Sequence, residues 1–194
     1  GAWQHKGGGA FHNNTNIYGW NKTLIEGLDM PSPTRMLDQS RIGEILTGDT
    51  AALKGGGPVH AMLIQNTNPA VVAPDSNRVL AGLRRDDLFL VVHEQFITET
   101  AACADIVLPA TMFLEHDDLY QGGGHQYAML GAKAVEAPGE CWSNHDVISA
   151  LGCRLGTSSD GFEKNAVGLL DETLITSGRS DMAHMKKHPW QDCQ

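Results

Sequence analysis

From Asp87 to Asp118 the chain reads DLFLVVHEQFITETAACADIVLPATMFLEHDD, and this stretch limits the possible folds more than any other. Leu88-Phe89-Leu90-Val91-Val92 is apolar without alternation, the pattern of a strand buried on both faces of a parallel sheet. The run stops at His93-Glu94. Thr98 can then cap a small-residue turn, Ala101-Ala102-Cys103-Ala104, before Asp105-Ile106-Val107-Leu108-Pro109 starts a second strand that its proline closes. The expected unit is strand, short crossover, strand. In such units ligand-facing groups lie just past the carboxyl ends of the strands, which makes His93, Glu94, Gln95 and Thr98 candidates, with the acidic turn Glu115–Asp118 after the next strand. An ordinary strand-crossover-strand piece with polar loops satisfies the same pattern.

The segment before it repeats the arrangement. Gly55-Gly56-Gly57-Pro58 delivers the chain into Val59–Ile64, a strand followed at once by Gln65-Asn66-Thr67-Asn68-Pro69. These short amides and hydroxyl can read the polar edges of a nucleotide or satisfy their own turn. Asp75–Arg85 has an acidic or serine cap, an apolar set in Val79, Leu80 and Leu83, and a basic last turn, so it predicts a helix. Two successive strand-helix-strand units predict a right-handed connection and an α/β, Rossmann-like, mostly parallel sheet with helices on both faces.

The flanks are less ordered in pattern. Gly7-Gly8-Gly9 and the amides Asn13, Asn14 and Asn16 favour loop, and a triple glycine can also let backbone amides approach a phosphate. Asn21–Leu28 predicts a helical turn that Pro31-Ser32-Pro33 breaks, and Ser40 is placed to cap a helix through Leu46. Beyond the acidic turn, Gln121-Gly122-Gly123-Gly124-His125 is a glycine loop, and Gln126–Val135 reads as a short hairpin arm. Asn144 is placed to cap a helix over His145–Leu155, and Asp160–Ser177 reads as one further amphipathic helix. The expectation is a loop-rich N-terminal segment and a helical C-terminal extension.

With 194 residues the chain can bury a full core. A formal charge of -9 without any block of Lys or Arg argues against a nucleic-acid partner held on a basic surface. There is no apolar run of about 18 residues, and GAWQHKGGG has neither region of a signal peptide, so neither a membrane span nor an export signal is expected here. Cys103, Cys141, Cys153 and Cys193 form no CxxC and offer no local ligand set for an iron–sulfur cluster or zinc, so they read as packing or surface thiols. His184 and His188 stand four apart with Cys193 nearby, a spacing compatible with a metal. With no fourth ligand positioned, they read as a His-rich helix end. His116 beside Glu115, Asp117 and Asp118 is compatible with an acid/base or metal cluster and with a solvated acidic loop. GxSxG, GxGxxG, P-loop and HExxH motifs are absent, so the usual carriers of hydrolase, dinucleotide and zinc-protease chemistry are missing.

Asn68-Pro69 after one strand, then VVHEQFITETAACADIVLPATMFLEHDD and GECWSNHDVISALGCRLG, together resemble the molybdopterin oxidoreductases of the dimethyl sulfoxide reductase family. The resemblance covers residues 1–156. It implies one internal part of a larger catalytic subunit that holds molybdenum or tungsten between two molybdopterin guanine dinucleotides. Residues 1–156 would be a dinucleotide-binding α/β domain, and 157–194 a helical extension leading toward a C-terminal domain. Carried over position by position, the cofactor contacts fall on Asn66, Asn68, Pro69, His93, Glu94, Thr98, His116 and Asn144. Neither a catalytic residue nor a metal ligand is implied within this chain, and alone it is expected to be inactive. An iron–sulfur cluster would belong to the parent subunit.

The implied partners are the remaining domains of that subunit and an electron-transfer subunit, in the cytoplasm or periplasm of a bacterial-type cell. The implied substrate is an S- or N-oxide or formate. Glu94 stands where nitrate reductases carry Asp, His116 where they carry Lys, and Asn144 where they carry Asp; the GGGHQ loop also departs from their Asn-x-Glu-Arg type, which argues for a separate subgroup and against nitrate. The other reading is a cofactor-free structural homologue like the molybdopterin-fold subunit of respiratory complex I. A free-standing nucleotide-binding module is a third.

Overall fold

The computed structural model describes residues 5–6, 15–27, 34–157 and 160–194. Gly7-Gly8-Gly9, Asn13, Asn14 and Pro31-Ser32-Pro33 lie outside them. In chain order the first elements are α1 (Thr15–Tyr18), α2 (Thr23–Glu26), α3 (Ile42–Leu46), β1 (Ala61–Gln65), α4 (Pro69–Val72), α5 (Ser76–Leu83), β2 (Phe89–Glu94) and β3 (Ile106–Pro109). Then follow β4 (Asp118–Tyr120), β5 (Tyr127–Gly131), α6 (Asn144–Arg154), α7 (Asp160–Glu163), α8 (Ala166–Thr176), α9 (Met182–Lys187) and β6 (Trp190–Asp192). Single 3₁₀ turns cover Gln39–Arg41 and Ala101–Cys103. Contacts group the chain into two units, one made of 31–112 with 137–147 and the other of 1–30, 113–136 and 148–194.

The first unit holds the parallel sheet, in the order β1-β2-β3, with Ala61 opposite Phe89 and Val91 opposite Ile106. Met62, Ile64, Leu90, Val92 and Val107 share one face through the strand alternation, and α3, α4, α5 and the Ala101 turn pack on it. Leu90 and Val92 are fully buried there, each worth roughly 1.5–3 kcal/mol. Phe89 and Ile106 point the other way and remain 51% and 43% exposed.

Helices α3 and α5 cross closely because Gly82 has no side chain: a Cβ there would stand 2.4 Å from Leu46 Cβ. Asp75 caps α5 by accepting from Arg78 N at 3.3 Å, as its acidic-cap reading expects. At the amino end of the sheet, Asp105 accepts from Leu90 N at 2.7 Å while Leu90 O accepts from Asp105 N at 2.9 Å, fixing where β3 meets β2.

Two expected caps move by one or two residues. Asp38, not Ser40, starts the 3₁₀ turn before α3, accepting from both Ser40 N and Ser40 Oγ at 2.9 and 2.7 Å. Ser143, not Asn144, serves α6: its Oγ accepts from Asp146 N at 3.2 Å and donates to Asp146 Oδ2 at 2.7 Å. The helix begins one residue early because this reciprocal pair satisfies its first turn, which leaves Asn144 as the first helical residue.

The second unit is built on an antiparallel sheet, β4-β5-β6. The expected arm over Gln126–Val135 is β5, paired with β4 before it and with β6 from the end of the chain. Leu119 and Leu130 pack against Leu170, Leu174, Met182 and Met185 of α8 and α9. Tyr18 is wholly buried; its Oη donates to His125 O at 2.6 Å and accepts from Gly122 N at 3.1 Å, pinning the glycine loop. The single helix expected over Asp160–Ser177 is divided into α7 and α8, because Asn165 accepts from Gly168 N at 2.8 Å and starts a new helix. Asp181 caps α9 in the same way, through His184 N at 2.8 Å.

Candidate functional site

The carboxyl ends of the parallel strands are level: Gln65 faces His93, and Glu94 faces Pro109. The β3 edge is prolonged by a parallel bridge between Ala110 and Trp142. Asn66, Asn68, Pro69, His93, Glu94 and Thr98 therefore gather at one end of one sheet, as a strand-crossover-strand reading requires. Asn68 and Glu94 share that end rather than opposing ones.

Most of these side chains are already occupied by the protein. Asn68 Oδ1 accepts from Thr100 Oγ1 at 2.7 Å and from Thr100 N at 3.2 Å, and Asn68 Nδ2 donates to Glu99 Oε2 at 2.8 Å. That donation holds the Glu99 carboxyl below the ordinary glutamate range. Thr100 Oγ1 also accepts from Ala70 N at 3.1 Å, so a hydroxyl from the loop after β2 satisfies the first turn of α4. Pro69 is the first residue of that turn, where a missing N–H costs nothing. Thr98 Oγ1 accepts from Ala101 N at 3.2 Å, the capping role its position suggested.

His93 is 0% exposed. Its Nε2 lies 3.1 Å from Trp142 O and its Nδ1 lies 3.0 Å from Gln65 Nε2. A carbonyl can only accept and an amide nitrogen can only donate, which assigns the ring hydrogen to Nε2. His93 thus stitches β1, β2 and the Trp142 segment together. Gln95 Nε2 reaches Thr111 O at 2.8 Å across the same end.

The outward-facing groups are fewer. Asn66 and Thr67 are exposed, and Asn66 adopts a φ of 55°, the left-handed conformation that asparagine tolerates better than most residues. Glu94 is half-buried, with Oε1 accepting from Gln95 N at 2.8 Å. Asn144 belongs to the same unit, at the start of α6. His116 belongs to the other unit, in an acidic turn where Asp117 accepts from Lys133 N at 2.7 Å and faces Lys186 Nζ at 3.7 Å. Among the described residues no group of three or more His, Cys, Asp or Glu side chains is placed to hold a metal.

A cavity of about 490 Å³ opens along β1, lined in part by Ser40, Met62, Gln65, Thr67 and Pro69. A second, of about 480 Å³, is lined by Ala70, Arg84, Glu99 and Cys103 among others. Sequence reasoning gives Glu99 and Thr100 no role; their signal is the run Thr98-Glu99-Thr100 itself, one and two residues past a capping hydroxyl.

The molybdopterin oxidoreductase family model matches residues 13–154. The chain belongs to that family. Among curated relatives, a probable oxidoreductase of Bacillus subtilis, YoaE, is 40% identical over 177 residues, covering 90% of this chain and 24% of its own length. An F420-dependent formate dehydrogenase subunit alpha of Methanocaldococcus jannaschii is 36% identical over 59% of the chain and 16% of its own. A periplasmic nitrate reductase of Desulfovibrio desulfuricans is 39% identical over 53% of the chain and 14% of its own. Among solved structures, acetylene hydratase from Pelobacter acetylenicus superposes with a TM-score of 0.63 at 24% identity, over 77% of this chain and 20% of that one, which establishes the fold. The chain thus spans 24%, 16% and 14% of the lengths of these three curated relatives.

The parallel-sheet end offers amide and hydroxyl donors on Asn66 and Thr67 and a carboxylate acceptor on Glu94, a set of the kind that a polar cofactor group requires. No helix among the described residues is long and apolar enough to cross a membrane.

Proposed function

We propose that this chain is part of the catalytic subunit of a molybdenum or tungsten oxidoreductase, and that its parallel sheet holds the guanosine part of one molybdopterin guanine dinucleotide. The observation carrying this reading is the level carboxyl edge, where exposed Asn66 and Thr67 follow β1 and half-buried Glu94 ends β2. Asn66 and Thr67 would take phosphate or base oxygens and Glu94 the ribose or guanine N–H groups. Asn68, Pro69, His93 and Thr98 would act behind them by fixing the two loops. Asn144 and His116 remain proposed contacts. When bound, the cofactor carries the metal and the redox chemistry; this chain orients it. A substrate of the S- or N-oxide or formate class fits the family, and the formate dehydrogenase relative favours formate. The remaining domains of the subunit and an electron-transfer subunit are the proposed partners.

Calorimetry of the chain with GDP tests the reading. Binding in the millimolar range or tighter is expected, weakened at least threefold by Glu94→Ala with folding intact. No heat from wild-type protein at that concentration counts against it.

A second reading is a cofactor-free structural homologue. It is favoured by the intrachain duties of Asn68 and His93, since side chains needed for the fold would persist without a cofactor. Metal and pterin analysis of the longer protein after gentle purification separates the two: molybdenum or tungsten with guanine nucleotide supports the first, and their joint absence the second.

A further inference from the structure

The end of α9 carries a pair of side chains that the nucleotide reading does not use. His184 and His188 are both exposed, and their ring centres stand 4.7 Å apart with planes inclined at 37°. The backbone beneath them is fixed, because Asp181 caps the helix and Met182 and Met185 anchor it in the core at 4% and 0% exposure. An imidazole nitrogen about 2 Å from a late transition-metal ion puts its ring centre about 3 Å from that ion, so two rings on adjacent coordination positions have centres about 4.5–5 Å apart. The observed separation falls in that interval.

We propose that His184 and His188 form a two-imidazole chelate for a divalent late transition-metal ion, with water completing the coordination. Copper(II) should bind most tightly and nickel(II) next, following the general order for nitrogen sites. Among the described residues no further ligand completes a group of three, so the ion would stay open to exchange. In the run His184-Met185-Lys186-Lys187-His188 the histidine spacing is that of HExxH, but buried Met185 stands where that motif has its general base. The site therefore binds without hydrolysing. Lys187 adds an opposing charge on the same element, whereas Lys186 is paired with Asp117 at 3.7 Å.

The test titrates the 194-residue chain with copper(II) and nickel(II) chlorides, reading heat and the quenching of tryptophan emission, since Trp190 follows His188 by two residues. One site per chain is expected. His184→Ala and His188→Ala should each weaken it at least tenfold, the double variant should be little worse than either, and His60→Ala should leave it unchanged. Because both histidines are exposed, circular dichroism of the variants should match the wild type. Wild-type affinity in either single variant, or no stoichiometric binding by the unaltered chain, overturns the proposal. No nucleotide enters the experiment, so its outcome is independent of the guanosine reading.

Discussion

Thr100 Oγ1 lies 2.7 Å from Asn68 Oδ1 and joins the loop after β1 to the loop after β2 across 32 positions of sequence. The same hydroxyl accepts from Ala70 N, and Thr100 is wholly buried. Thr100→Val keeps the shape and removes both bonds, leaving Ala70 N unpaired and Asn68 Oδ1 with Thr100 N alone, at a cost of about 1–3 kcal/mol. Thr100→Ser keeps the hydroxyl and should recover most of that loss. Urea unfolding of both variants checks this; a valine variant as stable as the serine one would deny the hydroxyl its role.

His93 makes the second such tie. His93→Phe strands Gln65 Nε2 and takes one of two donors from Trp142 O, which keeps Thr111 N at 3.0 Å, so the expected loss is again about 1–3 kcal/mol. Adding Gln65→Ala to the phenylalanine variant should cost less than Gln65→Ala does alone, because the bond is already gone. Additive losses in that double-mutant cycle would mean the two side chains do not interact.

Helix propensity alone says Gly82→Ala should stabilise α5 by up to about 1 kcal/mol. The contact with Leu46 says the opposite, since the added methyl would arrive 2.4 Å from Leu46 Cβ. A net loss of about 1–3 kcal/mol is expected from overpacking. In a Leu46→Gly background, which removes the Cβ it would meet, the penalty should shrink, and thermal unfolding of the four proteins decides it.

Several carboxylates are held below their ordinary range, Asp87 chiefly by the Arg85 guanidinium and Glu99 chiefly by the Asn68 amide. Their pKa values are lower in the folded state, so the unfolded chain takes up protons first as the solution is acidified. The stability they contribute is complete above the ordinary carboxylate pKa of about 4 and is lost as pH falls through the folded values. Unfolding midpoints in urea should be level from pH 7 to about pH 5 and fall below it. Glu99→Gln, which keeps an acceptor for Asn68, should make the acid side less steep; an unchanged slope would show that Glu99 contributes nothing there.

Much of the architecture could be read along the chain because it rests on neighbours in sequence. The uninterrupted Leu88–Val92 run is a parallel strand as expected, but not buried on both faces: Leu90 and Val92 are covered while Phe89 stays 51% exposed; the Asp75 cap acts on an amide three residues away. The caps shifted by little: Ser143 takes the role expected of Asn144, one residue along the chain. The β5 pairing with β6 left no trace in local pattern, because Tyr127 meets Asp192 from the far end of the chain.

The sequence by itself determined that polar residues follow two buried strands, and hence where a ligand edge would lie. Only the tertiary structure decided which of those residues look outward. A polar group beside a dry strand end must find a partner, and composition cannot say whether that partner is a ligand or another part of the chain. For Asn68 it is Glu99 and Thr100, and for His93 it is Gln65 and Trp142, each brought within hydrogen-bond reach only by the packing of the sheet.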